Sequence, residues 1–169
     1  RLKSIAYKPL QTVVRRCALA ADRVIATDES LFDPVLRHLP VTETVVRVIP
    51  NAVDIQRIDR ITESVVGSEL SARYGLHQGD SILLSVGRIE QNKGFHILAQ
   101  ALSRLAVHQP GIRWRWLIVG TGTYEPELRK LVRRLSLTER VIFVGQLEER
   151  DLHACYQAAT LFLHPTLYE

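Results

Sequence analysis

The sequence predicts an α/β protein built on a Rossmann-like open parallel sheet. Three observations predict it. From Ile82 onward, short apolar runs of strand length alternate with longer segments whose apolar residues recur at helical spacing. The first three runs stop at Gly87, Gly120 and Gly145, so each strand ends in a turn. The segments between them carry whole helices, which makes the connections crossovers between parallel strands.

The elements follow in order. Residues 9–21 read as a helix, with Pro9 at its first position. Leu10, Val13, Val14, Cys17, Ala18 and Ala21 form its apolar face, and Arg15 and Arg16 lie opposite, with Lys8 just ahead. Arg23–Thr27 holds a short strand. Asp28 suits the cap of a helix over 29–38 that buries Phe32, Val35 and Leu36 and ends at Pro40. Val45–Ile49 is a second strand, stopped by Pro50, and Asn51–Asp54 turns the chain. Residues 55–80 are polar and mixed, with a short helix near 68–74 halted by Gly75. This stretch looks like a connector between two halves.

In the second part, the strand Ile82–Val86 leads to a helix over 94–107, with Leu98, Ala101, Leu102, Leu105 and Ala106 on one face. His108–Gly111 turns into a strand over Trp114–Val119. After Gly120-Thr121-Gly122, a helix with Pro126 in its first turn runs to about 136 and buries Leu128, Leu131, Val132 and Leu135. Val141–Val144 is the third strand. Glu148, Glu149 and Asp151 suit a helix N-terminus, which turns Leu152, Cys155 and Tyr156 inward. Leu161–Leu163 is the last strand, closed by Pro165.

With these four strands in the usual 3-2-1-4 order, the strands at 82–86 and 161–163 are neighbours and the order reverses between them. Ligands in such sheets bind outside the carboxyl ends of the strands at that reversal. The loops there are 87–93 and 164–169, which brings Arg88 and Lys93 towards Glu169. Two cations, the glycines Gly87 and Gly94, and the free N–H groups of a helix start make the first loop a candidate anion site, the anion being a phosphate. The P-loop spacing is absent. Gly120-x-Gly122 is half of a dinucleotide fingerprint, with Glu125 where the third glycine would stand, and reads as turn chemistry. The strand at 161–163 is expected to lack a partner on one side, an apolar edge that predicts self-association.

Composition narrows the classes. The 46% hydrophobic and 24% charged content is that of a soluble globular protein, and no apolar run approaches the roughly 20 residues a membrane span needs. Cys17 and Cys155 have no metal or redox spacing and are expected as reduced core residues of a cytosolic protein. The chain starts at Arg1 and contains no Met, which suggests a fragment. The net charge is +4, yet residues 1–23 alone carry six cations against Asp22. That basic helix suits either solvent or the anionic headgroups of a membrane surface. With Tyr7 as its one aromatic and no nucleic-acid module in sight, nucleic-acid binding is not expected. His38, His77, His96, His108, His153 and His164 form no ligand cluster by spacing, so no metal is expected.

Five blocks resemble one family. Val48-Ile49-Pro50-Asn51-Ala52-Val53-Asp54 is similar to the hinge of GT-B glycosyltransferases of glycosyltransferase family 4. Ser85-Val86-Gly87-Arg88 with Lys93-Gly94 resembles that family's donor loop. Ile118–Gly122, Phe143-Val144-Gly145 and His164-Pro165-Thr166-Leu167-Tyr168-Glu169 resemble its later blocks, in the same order and spacing. The resemblance is strong over 48–169 and weaker over 1–47, where Ala21-Asp22-Arg23-Val24-Ile25 carries it. It implies a GT-B sheet incomplete at both ends. Residues 1–54 would be the end of the acceptor-side domain with the hinge, and 55–169 a truncated nucleotide-sugar donor domain. It also implies a retaining hexosyl transfer from a nucleotide-diphosphate sugar to a glycan or lipid-linked acceptor, without a metal. Such an enzyme would work in the cytoplasm, with contact to the inner membrane surface left open by the basic helix.

On matching positions, Arg88 and Lys93 would hold the donor diphosphate and stabilise the leaving group. Gly87 would allow its close approach, Leu147 and Glu149 would pack around the base, and Glu169 would contact the donor sugar. His96 stands where the family usually has an acidic residue, and Ala52 where it has glycine. The stretch alone would be expected to bind donor rather than turn it over. A nucleotide-binding module without chemistry and a sugar epimerase on the same fold are the alternatives.

Overall fold

The computed structural model describes residues 2–63 and 72–167, with side chains from Pro9 onward. The chain forms two compact units, Arg1–Asp54 and Ile55–Glu169.

In the first unit, α1 (Leu2–Ala20) begins well before the expected start, so Pro9 lies inside the helix instead of opening it. β1 (Val24–Ala26) and β2 (Val46–Val48) pair in parallel, Ile25 opposite Arg47. Between them Asp28 accepts the Ser30 N–H at 2.7 Å, as its capping role requires, and a single 3₁₀ turn over Glu29–Leu31 leads into α2 (Phe32–His38). Phe32, Val35 and Leu36 are half-buried rather than buried. Cys17 is exposed, which corrects its expected place in the core: the face of α1 that meets its neighbours is centred one residue on, at buried Ala18.

The second unit begins with α3 (Ile55–Glu63), and the helical residues 72–74 end at Gly75, whose φ is +60°. The rest of the helix expected near 68–74 lies outside the described residues. The sheet then follows: β3 (Ser81–Val86), α4 (Phe95–His108), β4 (Trp114–Val119), α5 (Glu125–Arg134), β5 (Val141–Gly145), α6 (Glu149–Ala158) and β6 (Leu161–Phe162). The strand order is β5-β4-β3-β6, all parallel, so the open Rossmann-like sheet and its expected order both hold.

Strand alternation sorts the core into two layers. Leu83, Trp114, Trp116 and Ile118 pack against α4 and α5 through Phe95, Ala99, Leu102, Leu128, Leu131 and Val132. Leu84, Leu117 and Val119 face the other way, onto Ala154 and Cys155 of α6. Tyr156, expected to point inward, is 41% exposed. One step around the helix from buried Cys155, its ring packs on Phe162 at 5.6 Å instead. Among the described residues β6 pairs with β3 alone, and Leu161 and Phe162 are largely exposed. Burial pushes the Cys155 thiol up to about 11, so it holds its proton at neutral pH and is no nucleophile.

One polar side chain is buried within this core. Ser85 donates to the Leu163 carbonyl at 2.7 Å and accepts from the Trp116 indole N–H at 3.0 Å. It therefore ties the chain beyond β6 to the middle of the sheet. Ser85→Ala leaves both partners buried and unpaired, and is expected to cost about 1–3 kcal/mol in urea denaturation. An unchanged midpoint would show that water takes over the serine's bonds.

Candidate functional site

The carboxyl ends of β3, β4 and β5 are laced together by backbone bonds. Gly87 N–H donates to the Val119 carbonyl at 3.0 Å, and Gly120 N–H to the Gly145 carbonyl at 2.7 Å. A Cβ on Gly120 would lie 2.1 Å from the Gly87 carbonyl oxygen, at a φ of +126°. Only glycine allows this approach of two strand ends.

The loop after β3 is then pinned to the loop after β4. Ile89 N–H donates to Thr121, and Tyr124 N–H to Ile89, at 2.9 and 3.0 Å. Glu90 accepts from the Thr123 hydroxyl at 2.7 Å and the Thr123 N–H at 3.2 Å. These two bonds, with a smaller contribution from the Arg88 charge, hold the Glu90 carboxyl below the usual glutamate range. The sign follows: the bonded carboxylate stabilises the fold in full above the ordinary glutamate pKa of about 4.3, and this is lost as the pH falls through the lowered folded value. Glu90→Gln is therefore expected to flatten the loss of stability with acid in that window, read as the urea midpoint at stepped pH. Equal slopes for the two proteins would remove Glu90 from the account.

A cleft of about 270 Å³ opens over these strand ends. Gly87, Arg88 and Leu147 line it, so three of the expected site residues come together. Arg88 is exposed, and Leu147 is half-buried against the α6 layer. The other expected residues lie elsewhere. Lys93 ends a 3₁₀ turn over Gln91–Lys93 and does not line the cleft. Glu149 opens α6 and pairs with Arg57 of α3, off the cleft wall. Glu169 lies outside the described residues.

The reversal of strand order does join the expected loops. Leu167 N–H donates to the Asn92 carbonyl at 2.9 Å, and Gly94 sits against the backbone of Pro165. Yet the cleft lies over β3, β4 and β5, and no described residue of 164–167 lines it. Gly120, Thr121, Gln146 and Leu152 also line it, and sequence reasoning had not marked them. By spacing Gly120 and Thr121 read as turn chemistry, and they stand in the Ile118–Gly122 block of the family resemblance, but neither reading marks them as site residues. The signal that places them was available, since β4 neighbours β3 in the expected order, so the residue after β4 must stand beside Gly87.

What the site can do chemically follows from its parts. One exposed guanidinium, strand-end backbone held open by glycine and an apolar wall at Leu147 suit an anion attached to a flat apolar group. Among the described residues no group of three or more His, Cys, Asp and Glu side chains is placed to hold a metal ion. No described helix is long and apolar enough to cross a membrane.

Fold and cleft together define a Rossmann-like domain of the GT-B glycosyltransferase type. Anabaena Alr3699/HepE, solved in complex with UDP and glucose, matches with a TM-score of 0.74 at 23% identity over 92% of this chain and 41% of that one. Sucrose-phosphate synthase from Thermosynechococcus elongatus matches with a TM-score of 0.74 at 25% identity, over 94% and 38% of the two chains. The chain belongs to the family of glycosyl transferases group 1, whose model matches residues 68–169. It is 32% identical over 163 residues to the 2-deoxystreptamine glucosyltransferase of Streptomyces kanamyceticus, covering 95% of this chain and 41% of that protein. It is 31% identical over 157 residues to a D-inositol 3-phosphate glycosyltransferase of Streptomyces bingchenggensis, covering 89% and 34%. The chain thus spans 41% or less of the length of these relatives.

Proposed function

We propose that residues 55–169 bind the nucleotide-diphosphate sugar of a retaining glycosyltransferase of glycosyltransferase family 4, and that residues 1–54 belong to the acceptor side and hinge. The observation that carries this reading is the cleft over β3, β4 and β5, where Gly87, Arg88 and Leu147 meet. The family match and the solved UDP complexes of Alr3699/HepE support it and favour a uridine nucleotide as the donor's base. They do not favour the epimerase or the bare binding module.

In this reading the base lies against Leu147, and the diphosphate passes Gly87, whose missing side chain leaves the backbone accessible. Arg88 donates to the phosphate oxygens. As the bond from sugar to phosphate breaks, negative charge grows on the leaving nucleoside diphosphate. A fixed guanidinium stabilises that charge more than it stabilises the ground state. Lys93 supplies a second cation once ligand draws its side chain in, and Glu169 holds the sugar hydroxyls. No metal takes part. The acceptor belongs to the glycan or lipid-linked class.

Calorimetric titration with UDP, GDP and ADP, repeated in EDTA, tests the reading. One nucleotide should bind, independently of chelator, with UDP first. A folded chain that binds none of the three would overturn it. A chain that binds all three only when divalent metal is present would overturn the metal-free part.

A further inference from the structure

We propose a second anion site at the opposite end of the same sheet, built for a phosphate group. The amino ends of β3, β4 and β5 surround another cavity of about 270 Å³. The six residues of β3, at about 3.3 Å each, put it roughly 17 Å from the first cleft.

Its wall is made of arginines from different strand ends. Asp80, with its side chain 6% exposed, accepts the His77 N–H at 3.0 Å and lies 3.6 Å from Arg115 and 4.0 Å from Arg113. Arg140 stands over the Trp114 ring at 5.0 Å. Glu139, the other acid on this wall, is exposed, and its carbonyl accepts from Arg115. Two guanidinium groups, those of Arg113 and Arg115, thus face one buried carboxylate, and Arg140 lines the same cavity over the Trp114 ring.

Their donors are far from used up. A guanidinium carries five N–H groups. Beyond the contacts to Asp80, Arg113 donates to the Gln78 carbonyl at 3.1 Å, Arg115 to Glu139, and Arg140 to the Ile112 carbonyl at 3.2 Å. The other N–H groups of all three are spare among the described residues. Trp114 lines the same cavity at 2% exposure, and its buried indole N–H has no partner among the described residues. A single carboxylate meets one guanidinium fork. A phosphate has three oxygens to spread over arginines that come from two neighbouring strand ends, Arg113 and Arg115 at the start of β4 and Arg140 just before β5. The ligand class is therefore inorganic phosphate or a phosphate monoester, and the site does not depend on what the first cleft binds.

The test uses the whole chain carrying Arg88→Ala and Lys93→Ala, so that the first cleft does not contribute. Its two tryptophans give two indole N–H resonances. Sodium phosphate is titrated against sodium chloride of equal ionic strength. The Trp114 resonance is expected to move saturably in phosphate alone, while that of Trp116, bonded to Ser85, stays. Arg113→Ala and Arg140→Gln, each checked for an unchanged spectrum elsewhere, should weaken the effect at least tenfold. A repeat with glycerol 3-phosphate separates the sources: tighter binding assigns the site to monoesters, and equal binding to free phosphate. No saturable shift, or a shift indifferent to both arginine variants, overturns the proposal.

Discussion

Gly94→Ala is expected to destabilise the larger unit by about 2–5 kcal/mol. Two costs combine. Gly94 holds a φ of +71°, where an L side chain costs roughly 1–2 kcal/mol. Its Cβ would also stand 2.0 Å from the Pro165 carbonyl oxygen, a contact that backbone alone must relieve. Overpacking of that kind costs typically 1–3 kcal/mol more. Urea denaturation followed by circular dichroism measures the sum. Gly111→Ala is the control, because its Cβ meets nothing within 4 Å. Equal midpoints for the two variants would mean that the turn before α4 shifts freely, and that its contact with Pro165 carries no weight.

Arg88→Ala is expected to weaken nucleoside diphosphate binding roughly 10- to 150-fold, the equivalent of about 1.5–3 kcal/mol for a charged hydrogen bond to phosphate. Stability should hardly change, since the side chain is exposed and its loop is fixed by backbone bonds from Gly87, Ile89 and Tyr124. Lys93→Ala tests a different point. Lys93 ends the 91–93 turn and does not line the cleft, so a comparable loss would require its side chain to reach the phosphates from outside that wall. A loss with Arg88→Ala and none with Lys93→Ala would confine phosphate recognition to the strand end. Full affinity in both variants would remove the anion site altogether.

The order of the four strands was legible because each apolar run and each helical face spoke for itself, and the crossover rule did the rest. Gly87 and Arg88 were legible for the same reason, since both follow directly on a strand end, whereas Leu147 was legible only through the family resemblance. What the sequence hid was rotation. Tyr156 and Cys17 stand beside buried neighbours, and an error of one helical step, about 100°, turns a core residue into a surface one. The cleft was expected at the reversal of strand order, but the pinning of Gly120 against Gly87 opens it one strand further over. Ser85 belonged to the donor-loop resemblance, but its buried bonds gave no signal. A lone hydroxyl in an apolar strand acquires its meaning from Leu163 and Trp116, which only the folded sheet brings to it.

The bonds from Ser85 to Leu163 and from Asn92 to Leu167 also set an order of events during synthesis. The first loop leaves the ribosome about eighty residues before the segment that braces it. Until Leu167 is free of the exit tunnel, β3 has no neighbour on its β6 side and the turn before α4 has nothing to rest on. Nascent chains arrested before and after that point should differ sharply in protease resistance, with the braced form the resistant one.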